Sequence, residues 1–284
     1  MKLYAPSTIR EIKDKYGFKL SKSLGQNFLT DKNIIDKIIE ATEITDEDLV
    51  IEIGPGIGVL TAEAAQLAKK VVAVEIDRNL IPILRDTLKE FDNIEIINKD
   101  VLKADLNAVI AASGCKKTKI IGNLPYYITT PIIMGLLESH VAADSITIMM
   151  QKEVADRIKA GPGTKAYGAL SAAVQYYCTV VTVATVPKEV FFPAPKVDSA
   201  VLRLDLRLEK PVELVDEQLF FRCIKAGFGQ RRKTLSNSLS QLGDFTKEEI
   251  KTCLAGTGID EKRRAETLSL SEFAAIANHL AKGK

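Results

Sequence analysis

The chain has 284 residues, of which 46% are hydrophobic and 27% are charged, with 39 Lys and Arg against 37 Asp and Glu. This balance is typical of a folded globular protein with one or two domains and excludes a disordered chain. No uncharged apolar run reaches the roughly 18 residues of a membrane span, and the first residues lack the apolar core of a signal peptide, so we expect a cytoplasmic protein.

Short β-branched runs alternate with helical patterns through the first two thirds of the chain, which predicts a parallel sheet with crossover helices. The predicted strands are 49–53, 71–75, 94–98, 119–122, 146–150, 179–186 and 200–206. A helix that begins after Thr30 or Asp31 as its N-cap precedes the first strand. The last two strands have only a Pro-rich loop, FFPAPKVDS, between them. We therefore expect them to form an antiparallel pair at the sheet edge.

The pattern changes after Leu208. From Asp216 onward only helical segments are predicted, with breaks near Gly229, Gly243 and residues 256–258. We therefore predict a basic N-terminal extension over residues 1–21, an α/β domain of Rossmann-like class over 22–208 and a small all-α domain over 209–284.

Cysteine and histidine usage limits the chemistry. The four cysteines stand at least 30 positions apart, which is not the spacing of a zinc site, a redox pair or a disulfide framework. Because His140 and His279 are the two histidines, a histidine-based triad or a multi-histidine metal site is not expected. We predict structural thiols, no metal and a reaction that does not use imidazole.

Positive charge is concentrated in two segments. Residues 1–30 contain six Lys or Arg and two acids, and residues 219–243 contain five Lys or Arg and no acid. Residues 49–100, in contrast, contain nine acids and six bases. Two basic segments of this kind are compatible either with solvated helices or with binding to nucleic acid.

A glycine-rich segment, IEIGPGIGVLTAEAA, lies between the first predicted strand of the sheet and the next helix. Its Gly54, Gly56 and Gly58 permit positive φ and let a ligand approach backbone N–H groups. Val59 stands where the dinucleotide fingerprint has its third glycine, which disfavours a NAD enzyme. Glu75 ends the next strand, 21 residues after Gly54, where a carboxylate can accept both hydroxyls of a ribose.

Polar residues also follow the third and fourth strands. The carboxyl ends of parallel strands line one crevice, so Asp100 and Asn123 should share a rim with Gly54 and Glu75. Asp100 can meet the exocyclic amine of an adenine, and the glycine loop has no lysine for phosphate. This combination favours S-adenosylmethionine over ATP.

Asn123, Leu124, Pro125 and Tyr126 form the tetrapeptide Asn-Leu-Pro-Tyr. The amine of a nucleobase is a poor nucleophile because its lone pair is delocalised. An Asn oxygen and a backbone carbonyl can accept the hydrogens of that amine and aim its lone pair at a sulfonium methyl, while the Tyr ring stacks on the base. The alternative interpretation is that the tetrapeptide is only a strand-to-helix turn with a Pro and a buried aromatic residue.

These motifs together resemble the ribosomal RNA adenine dimethyltransferase family. The matching stretches are GQNFLTDKNIIDKI (25–38), IEIGPGIGVLT (51–61), VEID (74–77), IGNLPYYITTPI (121–132), QKEVADRI (151–158), KAYGALS (165–171), VFFPAPKVDSAV (190–201) and AGFGQRRKTLSNSL (226–239). The resemblance covers almost everything from Lys22 to about Leu270 and leaves out the first twenty residues.

The resemblance implies roles for individual residues. Gln26, Asn27 and Leu29 would close over the methionine part of S-adenosylmethionine, above the glycine loop with Gly54 and Gly56. Glu75 would hold the ribose, Asp100 would bind near the adenine amine, and Asn123 would bridge the cofactor and the target base. Phe191 would stack on a flipped adenine from the face opposite Tyr126. The segment 231–233 would lie at the start of a helix and bind RNA phosphates. The predicted RNA-binding residues are Arg222, Lys225, Arg231, Arg232 and Lys233.

By the same resemblance, residues 22–208 form the catalytic methyltransferase domain and 209–284 the RNA-binding domain. The implied reaction transfers methyl groups from S-adenosylmethionine to N6 of two adjacent adenosines in the 3′-terminal hairpin loop of 16S rRNA, giving N6,N6-dimethyladenosine. The working substrate would be the assembling 30S ribosomal subunit, and the enzyme would act as a monomer in small-subunit biogenesis. Three alternatives remain: a large-subunit rRNA methyltransferase of the macrolide-resistance type, an assembly factor without catalysis, and a DNA adenine methyltransferase.

Overall fold

The computed structural model describes residues 2–18 and 25–283. Its helices are α1 (Pro6–Tyr16), α2 (Lys32–Thr42), α3 (Val59–Ala65), α4 (Ile81–Thr87), α5 (Leu106–Ser113), α6 (Thr129–Glu138), α7 (Lys152–Lys159), α8 (Ala169–Tyr177), α9 (Glu217–Gly229), α10 (Leu235–Leu239), α11 (Lys247–Gly256) and α12 (Leu270–Lys282). Its strands are β1 (Phe28–Leu29), β2 (Asp48–Ile53), β3 (Lys70–Glu75), β4 (Ile94–Asn98), β5 (Lys117–Asn123), β6 (Ser145–Gln151), β7 (Cys178–Val186), β8 (Phe191–Phe192) and β9 (Ser199–Leu206). The chain forms two compact units, Met1–Ala155 with Thr179–Leu206 and Asp156–Cys178 with Arg207–Lys284.

The first unit contains a seven-stranded sheet with the order β4-β3-β2-β5-β6-β9-β7. Strands β2 to β6 pair in parallel, and β9 pairs antiparallel with β6. Every predicted strand is present, with ends within two residues of the prediction. The last two predicted strands, which are β7 and β9 in the structure, are neighbours at the sheet edge, as predicted. Of the two, β9 is the strand that pairs with β6. The Rossmann-like α/β class is therefore confirmed.

Local sequence explains where α2 begins and which face it buries. Asp31 is its N-cap, and the Asp31 carboxylate accepts the backbone N–H of Asn33 at 2.8 Å. Ile34, Ile35 and Ile38 are buried on one face, which is the period of an amphipathic helix. The helix thereby places residues 25–31 directly before it in the first unit.

The basic N-terminal segment is part of the first unit's core. Helix α1 buries Thr8, Ile9 and Ile12, and Phe18 joins the same hydrophobic cluster. Asp86 accepts hydrogen bonds from Lys15 and from the Tyr16 hydroxyl, and the Lys15 ammonium holds the pKa of that carboxyl well below its usual range. In the described part of the predicted extension 1–21, residues 2–18, the apolar period of α1 is packed rather than solvated. Residues 1 and 19–21 of that extension lie outside the described residues.

The second unit contains α8 to α12, and it includes residues 156–178 as well as the C-terminal helices. The hydroxyls of Tyr176 and Tyr177 donate to Glu217 at 2.8 and 2.9 Å. The rings of Tyr176 and Phe220 lie 5.2 Å apart. These contacts join α8 to α9. The compact units therefore differ from a single linear boundary near residue 208, because a segment of the middle of the chain packs with the C-terminal helices.

Helix α9 begins where the sequence predicts. Asp216 is its N-cap and accepts the backbone N–H of Leu219 at 2.9 Å. Burial raises the pKa of the Cys223 thiol, on α9, to about 12 and that of Cys253, on α11, to about 11, so both thiols behave as structural groups. Across the part of the chain that is described, no helix has the length and apolar character needed to cross a membrane.

Candidate functional site

A cavity lies at the carboxyl edge of the parallel strands in the first unit. Parallel strands end together at this edge, as the register pair Glu75↔Asn98 illustrates. The cavity is lined by all but one of the predicted cofactor and catalytic residues. These are Gln26, Asn27, Leu29, Gly54, Gly56, Glu75, Asp100, Asn123, Leu124, Pro125 and Tyr126. The sequence-predicted rim is therefore a single site in the folded chain.

The glycine loop leaves its backbone uncovered beside the cavity. Gly54 has φ +69°, and a Cβ placed there would meet no atom within 4 Å. Gly56 has φ +61°, and its Cβ would lie 3.0 Å from the ring of Phe28. The loop thus needs glycine for its left-handed backbone at both positions. At Gly54 the absent side chain leaves open space in the cavity wall, whereas at Gly56 it lets Phe28 pack.

Glu75 is a buried carboxylate at the end of β3, with 4% of its surface exposed. Burial raises its pKa to about 7, although backbone N–H groups, including that of Asp77 at 2.8 Å, favour its ionised form. Asp77 in turn accepts the side-chain N–H of Gln26 at 2.9 Å. Glu75 is therefore held in place for a ligand with hydroxyl groups, and Gln26 is bonded to the loop that follows Glu75.

The sequence reasoning missed Glu52, which also lines the cavity. It lies within β2 with 2% of its surface exposed, and the Thr61 hydroxyl donates to its carboxylate. Burial raises the pKa of Glu52 to about 8. Glu52 is the one acid in the otherwise apolar predicted strand 49–53, directly before the glycine loop. This was the available signal, because charged residues are rarely buried in a parallel sheet.

Asp100 lies just beyond β4, where it caps a short helical turn. Its carboxylate accepts the backbone N–H of Leu102 at 3.1 Å. Ile76, which is 53% exposed, and Val101 also line the cavity. A flat apolar group in the cavity could therefore contact aliphatic side chains, with Asp100 as a polar partner. This is an environment suited to an adenine ring.

Asn123 ends β5, and its amide orientation is fixed. The Nδ2 group donates to the backbone oxygen of Asn27 at 2.8 Å. Since that partner is an acceptor, the nitrogen must face it, and the Asn123 oxygen is left as an acceptor on the other side. The next residue, Leu124, donates its backbone N–H to Met149 on β6 at 3.2 Å. The Asn-Leu-Pro-Tyr turn is thus bonded both to Asn27, before α2, and to strand β6 of the sheet.

Tyr126, the last residue of this turn, is half-buried and lines the cavity. Its hydroxyl is 2.7 Å from the hydroxyl of Ser199, and burial raises the pKa of the phenol. The neighbouring Tyr127 is 60% exposed and also lines the cavity. The turn therefore presents aromatic surface next to the Asn123 amide.

Phe191 is the exception among the predicted catalytic residues. It lies in β8, which pairs antiparallel with β1 through Leu29↔Phe191 and Phe28↔Phe192. Its side chain is 4% exposed, belongs to the hydrophobic core of the unit and is not among the cavity-lining residues. In this structure the Phe191 ring is therefore packed in the hydrophobic core and does not reach the rim.

Comparison with known proteins identifies the family. The model of the family described as "Ribosomal RNA adenine dimethylase" matches residues 17–282. The chain belongs to this family. It is 53% identical over 278 residues to the ribosomal RNA small subunit methyltransferase A of Clostridioides difficile (strain 630), covering 98% of this chain and 96% of that protein. The family model leaves out the first sixteen residues, in agreement with the resemblance predicted from motifs. The match to this relative covers 98% of the chain, so the similarity to that protein extends into most of these residues.

Solved structures agree with this family. A dimethyladenosine transferase from Plasmodium falciparum is 26% identical with a TM-score of 0.77, and the match covers 89% of this chain and 97% of that one. The 23S rRNA methyltransferase ErmE is 28% identical with a TM-score of 0.67, and the match covers 89% of this chain and 99% of that one. Both likenesses extend over the methyltransferase-like sheet and well beyond it.

In this dimethylase, the basic residues of the second unit divide into two groups. Arg222 donates to Asp244 and to the backbone oxygen of Leu242, both at 2.9 Å. Arg231 donates to the backbone oxygen of Lys165 at 2.8 Å. All five predicted RNA-binding residues are exposed. The Arg222 and Arg231 guanidinium groups are bonded to neighbouring residues of the unit, whereas among the described residues no side-chain partner is found for Lys225, Arg232 and Lys233.

The residues 231–233 lie in the turn between α9 and α10, so their predicted place at the start of a helix was wrong. Helix α10 begins only at Leu235, after a turn closed by the bond from the Lys233 N–H to the Gln230 oxygen at 2.9 Å. The turn projects Arg232 and Lys233 into solvent. The residues themselves remain candidates for RNA contact.

A second basic segment, which sequence reasoning missed, lies beside this turn. The Leu235 N–H donates to the Arg263 oxygen at 2.7 Å, which brings residues 262–264 next to the start of α10. Arg263 itself bonds to Glu272 and to the backbone of Thr267. Within residues 2–18 and 25–283, no side-chain partner is found for four exposed cations that we call the cation surface. They are Arg232, Lys233, Lys262 and Arg264.

Proposed function

We propose that the chain transfers methyl groups from S-adenosylmethionine to N6 of two adjacent adenosines in the 3′-terminal hairpin loop of 16S rRNA, giving N6,N6-dimethyladenosine. The observation that carries this proposal is the oriented amide of Asn123. Its nitrogen is occupied by the Asn27 oxygen, so its oxygen can accept a hydrogen from an adenine amine at the cavity.

The residues of the rim fit S-adenosylmethionine. Open space at Gly54 accommodates a ligand against the loop backbone, and Glu75 offers a buried carboxylate to the ribose hydroxyls. Asp100, which lines the cavity together with Ile76 and Val101, suits the adenine amine. When bound, this cofactor supplies a methyl group on a positively charged sulfur. Gln26, Asn27 and Leu29 would cover it from the N-terminal side.

The chemistry of Asn123 follows from its geometry. An adenine amine is nearly planar because its lone pair is shared with the ring, and hydrogen bonds from both amine hydrogens to fixed oxygens favour a pyramidal nitrogen. Asn123 would supply one oxygen and a backbone carbonyl of the turn the other. The nitrogen would form its bond to the methyl carbon as the bond from that carbon to sulfur breaks, which leaves neutral S-adenosylhomocysteine, and it would then lose a proton to water. Positioning rather than a strong base carries this step.

Tyr126 would stack on the flipped adenine, which must leave its paired or stacked state before its amine can be reached. The predicted partner on the opposite face, Phe191, is buried in the core. Its stacking role remains a prediction that requires the ring to leave that position. Tyr127 offers exposed aromatic surface at the same mouth.

The small-subunit substrate is supported by the similarity of 53% to a small subunit methyltransferase A, against 28% to the large-subunit enzyme ErmE. We propose residues 22–208 as the catalytic region and the C-terminal helices as the RNA-binding region. There, Lys225 and the cation surface are the candidates for phosphate contact. Action as a cytoplasmic monomer on the assembling 30S subunit is part of the same proposal.

Transfer of labelled methyl from S-adenosylmethionine tests the whole proposal. The acceptors would be small subunits that lack the modification, large subunits and naked DNA, followed by nucleoside analysis. We expect dimethyladenosine with small subunits only. Label in large subunits would favour the macrolide-resistance reaction, label in DNA a DNA methyltransferase, and binding without label an assembly factor.

A further inference from the structure

Ser199, the first residue of β9, has its side chain buried with 0% exposure. Its hydroxyl lies 2.7 Å from the Tyr126 hydroxyl, so the two share a hydrogen bond. Tyr126 belongs to the turn after β5, whereas Ser199 follows the FFPAP loop, 73 residues later. The bond therefore joins the Asn-Leu-Pro-Tyr turn, which lines the cavity, to the start of β9, directly after the loop that contains Phe191.

The backbone holds Ser199 rigidly. Ser199 pairs with Gln151 at the end of β6. The preceding residue, Asp198, accepts the backbone N–H of Lys152 with its carbonyl at 3.0 Å and that of Lys188 with its carboxylate at 3.1 Å. The second of these bonds closes the loop 188–198, which contains Phe191. Ser199 thus sits on a fixed corner of the sheet.

We propose that Ser199 is a positioning residue for methyl transfer, which holds the Tyr126 ring at the angle at which the target adenine stacks. The inference rests on the proposed function. A half-buried tyrosine can rotate about two side-chain bonds, and ordering such a ring costs conformational entropy that a bond to a fixed hydroxyl supplies before substrate arrives. Small misplacement of a reacting group can lower a rate about 100-fold. The position of the stacking ring therefore determines how well the adenine amine is oriented toward the methyl group.

Steady-state methyl transfer to unmodified small subunits tests this role, with Ser199→Ala, Tyr126→Phe and the double variant. Both single variants remove the same hydrogen bond and keep the ring. We expect kcat to fall about tenfold in each, with an unchanged Kd for S-adenosylhomocysteine. In the double variant we expect kcat no lower than in the singles, because only one interaction is lost.

Ser145→Ala is the matched control. Ser145 is also a buried serine, at the opposite end of β6, and its hydroxyl has no hydrogen-bond partner among the described residues. We expect wild-type kcat from this variant. Thermal melting of all variants would exclude loss of folding as the cause of a lower rate.

Two outcomes would overturn the positioning role while leaving the proposed function intact. One is wild-type kcat in Ser199→Ala or in Tyr126→Phe. The other is a loss from Ser199→Ala that is equally large in the Tyr126→Phe background, because that would show a structural effect independent of the tyrosine. Absence of dimethyladenosine with the wild-type protein would overturn both proposals together.

Discussion

The cavity rim and the cation surface use polar side chains in opposite ways. At the rim, polar groups are bonded to other protein groups before any ligand arrives, as Asn123 is to Asn27 and Tyr126 to Ser199. On the cation surface, the four Lys and Arg side chains are exposed, and no partner is found for them in the described ranges. One region is fixed in advance and the other is left free.

This difference matches the two kinds of ligand proposed. A methyl transfer depends on the position of a few atoms, so the groups that aim them must be held by second contacts. A phosphate backbone offers repeated charge, which flexible cations can meet without exact geometry. The fixed arginines of the second unit, Arg231 and Arg263, bond to backbone oxygens and stabilise the turns from which the free cations project.

Removal of the oriented amide should have the largest effect. Asn123→Ala deletes the acceptor for the adenine amine, and we expect kcat to fall by about 100- to 1,000-fold, as for loss of one fixed hydrogen-bonding group in other active sites. The Kd for S-adenosylhomocysteine, measured by calorimetry, should change only a few-fold because Glu75 and Asp100 remain. Wild-type turnover in this variant would exclude the amine-orienting role.

Glu75 should make cofactor binding depend on pH. Its pKa of about 7 means that the carboxyl is protonated below neutrality, and only the ionised form accepts both ribose hydroxyls. Affinity for S-adenosylhomocysteine should therefore rise about tenfold per pH unit below pH 7, with proton release on binding, and level off above it. Glu75→Gln, which cannot ionise, should bind roughly 10- to 100-fold more weakly at pH 8. It should also show a flat profile, and a pH-dependent Gln variant would assign the effect to another group.

The cation surface should act through salt-dependent affinity and not through turnover. The slope of log K against log salt for RNA binding is negative, and each phosphate contact contributes about 0.7–0.9 to its magnitude. Replacing both Arg232 and Lys233 with Ala should therefore make this slope shallower by roughly 1.4–1.8. Lys262→Ala with Arg264→Ala should act in the same way. Arg263→Ala is the control, because this residue is bonded to Glu272. We expect this substitution to lower the thermal stability and to leave the salt slope nearly unchanged. An unchanged slope in both double variants would make the surface ordinary solvated charge.

A buried hydroxyl that belongs to neither region should give the smallest effect. Thr147 on β6 has 0% exposure, and among the described residues its hydroxyl has no hydrogen-bond partner. Thr147→Val keeps the shape and removes the unsatisfied group, so we expect about 1 kcal/mol of added stability by denaturant unfolding. Thr61→Val, which removes the donor to buried Glu52, should destabilise instead. A loss of stability in Thr147→Val would indicate that its hydroxyl has a partner such as water.

Several features of the site could be predicted because they depend on local sequence alone. The glycine loop and Asp100 follow strands, and Glu75 and Asn123 end strands. The topology of a parallel sheet brings these strand ends together whatever the details of packing. Asp31 as the cap of α2 is equally local. The buried acid Glu52 could also have been recognised from the sequence, because it is the charged residue in the otherwise apolar predicted strand 49–53.

Other features depend on contacts between distant segments. The bond between Tyr126 and Ser199 spans 73 residues, and the buried Phe191 pairs with Leu29, which lies far from it in the sequence. Which cation is fixed and which is free is likewise decided by neighbours such as Lys165 and Glu272. No local period or motif carries that information.

The sequence by itself determined the Rossmann-like class, the positions of the strands, the rim of polar residues and the family. Tertiary structure alone decided that α1 packs into the core, that residues 156–178 join the C-terminal helices and that Phe191 faces inward. The reason is physical. Strand period, caps and strand-end residues act over a few positions, whereas burial and hydrogen-bond partners depend on which remote segments the folded chain brings into contact.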